Sequence, residues 1–91
     1  MPSFDVLAWQ RGLAHAGVPI IRIAVTGIDD GTVLEIDCGV TAVEIFHERH
    51  GFAIYRPNLA LDANAEWHVV HTIAEACALI AGWVASEGGT R

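Results

Sequence analysis

The sequence predicts an α+β fold: an antiparallel sheet of four or five strands with an N-terminal and a C-terminal helix packed on one of its faces. Three observations carry this expectation. Alternating apolar runs flank an Asp30-Gly31 pair, a helical apolar stripe lies near the start of the chain, and Thr72-Ile73-Ala74-Glu75 begins a second stripe near its end. At 91 residues the chain makes one domain, of a size that buries only about 60–65% of its unfolded surface.

The elements follow in order. Ser3 can N-cap a helix over 4–16 with Asp5 in its first turn, and Gly17 followed by Pro19 stops it. Val6, Trp9, Leu13 and Ala16 share one side of that helix, which suits it to cover a sheet. His15, in the last turn, is favoured there by the helix dipole. Asp30-Gly31 reads as a two-residue type I′ turn, because both central positions need positive φ. It would set Val25 opposite Ile36, Ile23 opposite Cys38 and Ile21 opposite Val40. Ile21, Ile23, Val25, Leu34, Ile36, Cys38 and Val40 then share an apolar face, with Arg22, Thr26, Glu35 and Asp37 on the other.

The middle admits two readings. Residues 41–46 and 52–56 are rich in β-branched and aromatic side chains and read as two strands joined by the charged loop 47–51. Alternatively Thr41 and Glu44 form a capping box for a short helix ending at Gly51. The strands are preferred because Val43 and Ile45 are poor helix formers. Ala42, Phe46, Phe52 and Ile54 would then lie on one face and Val43, Ile45, Ala53 and Tyr55 on the other, so both faces need cover. One of them, without a third helix, is the expected oligomer interface. Residues 57–64 read as a loop. Glu66 to His71 reads as a last strand, with Trp67, Val69 and His71 on one side and His68 and Val70 on the other. The capping box at Thr72 then opens a helix in which Ile73, Ala76, Cys77, Ile80 and Val84 recur at helical spacing.

Composition and charge exclude several classes. Hydrophobic residues make up 53% before the nine glycines are added, against about 45–50% with glycine included in a typical domain. Surplus apolar surface in a small chain points to self-association or a partner. The net charge is −6, and the five basic residues are all arginine. Nucleic acid and anionic membrane surfaces require a basic patch that this chain cannot assemble; a basic protein partner suits it better. Without lysine there is neither a Schiff-base nucleophile nor a phosphate-binding P-loop. The first twenty residues include Asp5 and Arg11 and lack an apolar signal core, and no apolar run is long enough to span a bilayer. A cytoplasmic location is expected. Cys38 and Cys77 both fall on apolar faces and read as buried free thiols.

Candidate chemistry is sparse. His47-x-x-His50 and His68-x-x-His71 repeat one spacing, with Glu44, Glu48 and Glu66 nearby. A metal needs three or four ligands converging at about 2.0–2.2 Å. On a strand His68 and His71 point to opposite faces, while His47 and His50 straddle a turn. No metal, cofactor or catalytic set is therefore expected. Glu35 and Asp37 share the polar face with Arg22 as their cross-strand neighbour, which reads as a solvated ion-pair cluster. The three tryptophans read first as core. Trp83, off the stripe of its helix, is expected to contribute to an exposed apolar patch. The chain is thus expected to be a small acidic binding protein, acting as a homodimer on a basic protein partner or an apolar small ligand. His47, His50, Trp67, His68, Trp83, Glu35 and Asp37 are the candidate contact residues. The alternative is a small enzyme using His47, His50, His68 or His71 with a nearby glutamate.

Overall fold

The computed structural model describes residues 4–28, 31–56 and 66–88. Its element order is α1 (Val6–His15), β1 (Arg22–Ile28), β2 (Gly31–Asp37), β3 (Ala42–Glu48), β4 (Gly51–Arg56), β5 (Glu66–Val70) and α2 (Ile73–Gly88). The five strands form one antiparallel sheet in chain order, β1-β2-β3-β4-β5. The strand reading of the middle segment holds and the short helix does not form. The expected loop 57–64 and Ser3 lie outside the described residues.

Helix α1 starts later than expected. Asp5 is its N-cap, and its carboxylate accepts from the Ala8 N–H at 3.1 Å. An aspartate in that position satisfies one of the free donors of the first turn directly. The stop at Gly17 is a Schellman motif. Gly17 has φ +82° and donates to the Ala14 carbonyl at 3.0 Å, and Val18 donates to Leu13 at 2.9 Å. Leu13 and Val18 are both buried, the apolar contact that accompanies this cap. At the other end the capping box forms as expected. Glu75 N–H donates to Thr72 Oγ1 at 3.1 Å, while Glu75 Oε1 accepts from Thr72 N–H at 3.3 Å and from His71 N–H at 2.7 Å.

The first hairpin corrects the expected register. Ile28 pairs with Gly31, Val25 with Leu34 and Ile23 with Ile36, so Gly31 is a strand residue rather than a turn residue; Asp30, the other member of the expected turn, lies outside the described residues. Moving the turn by one residue shifts each cross-strand pair by two, which leaves every side chain on its original face. Apolar alternation cannot tell the two registers apart. Strand β2 ends at Asp37, and a four-residue loop follows in which Cys38 N–H donates to the Thr41 carbonyl at 2.8 Å. Gly39, at φ +91°, has its N–H held by Asp37 Oδ1 at 2.9 Å. Val40 is therefore in a loop rather than opposite Ile21.

The second correction concerns β3 and β4. Glu48 pairs with Gly51, and Ile45 lies opposite Ile54, so the turn is two residues rather than five. This brings Val43, Ile45, His47, Phe52 and Ile54 onto one face, joining Ile23, Leu34 and Ile36 of the first hairpin. Both helices pack there. The core includes Trp9 and Leu13 from α1, Ala76, Cys77 and Ile80 from α2, and Leu34, Ile36, Val43, Ile45 and Ile54 from the sheet, with Phe4, Val18 and Cys38 from the connections. Trp9 meets Phe52 edge-on at 5.1 Å between centroids. The helices cross closely: a Cβ at Gly12 would stand 2.8 Å from Cys77 Sγ.

Candidate functional site

Both helices lie on one side, and among the described residues nothing covers the other face of the sheet. The strand registers arrange its side chains in rows that run across the strands. One row is Ala24, Glu35, Glu44, Tyr55 and Trp67; the next is Thr26, Val33, Phe46, Ala53 and Val69. Arg22, Asp37 and Ala42 lie beyond the first row. The β3–β5 corner is apolar and aromatic, and the β1–β3 corner is polar.

In the aromatic corner, Trp67 lies 4.6 Å from Tyr55 and 5.4 Å from Phe46 between ring centroids. On the same face Val33 and Ala53 are buried, although neither belongs to the core under the helices. Trp67 itself is 57% exposed and Val69 is 65% exposed. Core packing, the first expectation for Trp67, is thus overturned, because β5 turns that ring away from the helices. Trp83 corrects the other way. It is half-buried against the core, with the His68 ring at 5.3 Å and the Arg56 guanidinium 5.2 Å from its centroid. The expected exposed patch at Trp83 is absent, while a different one surrounds Trp67.

In the polar corner, Arg22 stands opposite Asp37, and Glu35 stands opposite Glu44. The expected ion-pair cluster does not form. No ion pair joins Arg22 to Glu35, Asp37 or Glu44, and the Asp37 carboxylate is engaged by the Gly39 N–H instead. A shallow hollow of about 250 Å³ opens here, lined by Arg22, Glu35, Asp37, Ala42 and Glu44 among others. Two like charges placed directly opposite on neighbouring strands oppose folding by a few tenths of a kcal/mol or more.

The histidines do not build a site. His47 lies on the helix side of β3, stacked on Phe4 at 4.2 Å, and its Nε2 is buried without a hydrogen-bond partner. His68 is on the same side of β5 against Trp83. His50 and His71 are exposed, and His71 Nδ1 lies 3.3 Å from the His50 carbonyl oxygen. Among the described residues no three His, Cys, Asp or Glu side chains gather as metal ligands. Both cysteines are free and buried. Burial, reinforced by the neighbouring Asp37 charge, pushes the Cys38 thiol up to about 11, and burial raises Cys77 as well. Nucleophilic chemistry needs the thiolate, which burial disfavours, so both positions are expected to react slowly at neutral pH.

That slowness sets an expected result. At pH 7 a maleimide labels neither cysteine in the folded protein and labels both in denaturant. The folded Cys38 keeps its proton to a higher pH than the unfolded one, so stability is lost as pH rises from 9.0 towards 11. Cys38→Ala should flatten that part of the profile in denaturation series. Rapid native labelling of Cys38 would contradict its burial.

Among the described residues no helix is long and apolar enough to cross a membrane. No family model, no curated protein and no solved structure matches this chain.

Proposed function

We propose that this chain is a non-enzymatic interaction domain whose working surface is the uncovered face of its sheet. The observation that carries the proposal is the exposure of Trp67 and Val69 on a five-stranded sheet whose helices both lie on the opposite side. An exposed tryptophan set among other rings is the composition of an interface centre rather than of ordinary protein surface. The carboxylates at its margin add directional charge.

Self-association is part of the same proposal. Strand β1 is a sheet edge with no lysine, no proline and an uninterrupted register; its Val25, on the helix side, is exposed, as are Ile21 and Val40 near its start. Undefended edges of this kind pair readily with a second copy. A second copy joined there leaves the uncovered face available. Sedimentation equilibrium at micromolar concentration should give twice the mass of the single chain, and Val25→Lys should return it to one. A wild-type mass of one chain would remove the dimer. The face itself is tested with an apolar fluorescent dye, whose signal should fall severalfold in Trp67→Ser/Val69→Ser with the fold unchanged. An unaltered signal would remove the working surface.

A further inference from the structure

We propose that the uncovered face docks a basic protein segment, with one cationic side chain between Glu35 and Glu44 and a second on the rings of Tyr55 and Trp67. This rests on the reading of that face as an interaction surface and specifies what it holds.

The argument is one of charge and shape along a single row. Glu35 and Glu44 are Cα partners on β2 and β3, and Tyr55 and Trp67 are Cα partners on β4 and β5. Glu44 and Tyr55 are paired across β3 and β4, so the four side chains form one line. At about 4.8 Å per strand, the midpoint of the carboxylate pair lies roughly 10 Å from that of the ring pair. Both ends suit a cation. The first is a like-charge pair that a cation placed between its members would relieve. The second is a pair of electron-rich rings that a guanidinium can stack upon.

The surrounding charge favours the same occupant. By strand parity this face carries Glu35, Asp37, Glu44 and Glu48 against Arg22 alone, and the whole chain is at −6. A second copy laid on this face would bring two acidic corners towards one another, whereas a basic segment meets complementary potential. The chain already uses an arginine on a tryptophan on its opposite side, where the Arg56 guanidinium lies over Trp83.

The test uses the full chain and an acetylated, amidated hexa-arginine peptide at low ionic strength, followed by calorimetry and by backbone amide shifts. Binding is expected in the micromolar range, weakening with added salt, with shifts concentrated on β2 to β5 around Glu35, Glu44, Tyr55 and Trp67. Glu35→Gln/Glu44→Gln should weaken it about tenfold or more, and Trp67→Ala severalfold, each without lowering the unfolding midpoint. Binding unaffected by these variants, or shifts confined to other surfaces, would overturn the proposal. If the peptide fails to bind but Trp67→Glu halves the solution mass, a second copy occupies the face; the cationic assignment then fails while the interaction reading stands. If the peptide fails to bind and both the dye signal and the mass are indifferent to Trp67, both readings fall.

Discussion

Trp9→Ala is expected to cost about 3–5 kcal/mol, the usual range for removing a large aromatic from a core. Trp9 is 1% exposed, sits in the middle of α1 and meets Phe52 edge-on. Its ring is thus one of the main means by which α1 is fastened to the sheet. The lost burial and the cavity act together, because the surrounding side chains come from two helices and the sheet and cannot all close on one gap. A domain of this size has of order 5–14 kcal/mol in total, so the variant should retain a transition at a much lower urea midpoint. Trp9→Phe, which keeps a ring, should recover more than half of the loss. A stability within about 0.5 kcal/mol of wild type for Trp9→Ala would mean that α1 does not hold the sheet as described.

Gly51→Ala should be comparably damaging for a different reason. Gly51 does not have positive φ, so alanine has no backbone strain to overcome. The obstacle is close approach: the added Cβ would collide with the Val70 carbonyl oxygen and stand 2.8 Å from His71 Cα. Those are backbone atoms at the end of β5, which cannot swing aside as a flexible side chain would. Overpacking of this kind usually costs about 1–3 kcal/mol and more where backbone must move; about 3 kcal/mol is expected here. The loss should be local first. Hydrogen exchange should show β5 amides losing protection before those of β2 and β3, and the variant should also lose the dye signal of the uncovered face, because Trp67 and Val69 ride on β5. Uniform protection with wild-type stability would show that Gly51 has more room than the geometry allows.

The parts of this fold that were legible in the sequence are those whose chemistry is local. Thr72 and Glu75 cap α2 reciprocally because their spacing allows nothing else as good, and Gly17 closes α1 because its φ suits no other residue as well. The face of each residue in β1 and β2 followed from alternation. The register did not, because pairs shifted by two bury the same side chains. The β3–β4 turn has two residues where the pattern predicts five, and this odd change in length reverses the facing of Phe52 and Ile54 relative to Val43 and Ile45. Residues apolar on both sides gave no pattern to detect it. For the same reason the pattern offers the uncovered face only as one of two, and offers Trp67 both as a core ring and as a contact residue; β5 aims it away from the helices. The signal that could have identified it was the row itself, Glu35 to Trp67, which exists only after three registers are known.

The strands pair strictly with their chain neighbours, while α1 and α2, from opposite ends of the chain, meet at Gly12 and Cys77. The sheet can therefore assemble by a series of short, entropically cheap closures. Docking the first helix onto the middle of the sheet and against the last helix is the wide closure the polypeptide must make. Until it is made, the apolar side chains destined for the interior lie as open to water as Trp67 and Val69 remain afterwards. The nascent protein thus carries two greasy sheet surfaces, and the joining of its two ends is what reduces them to one.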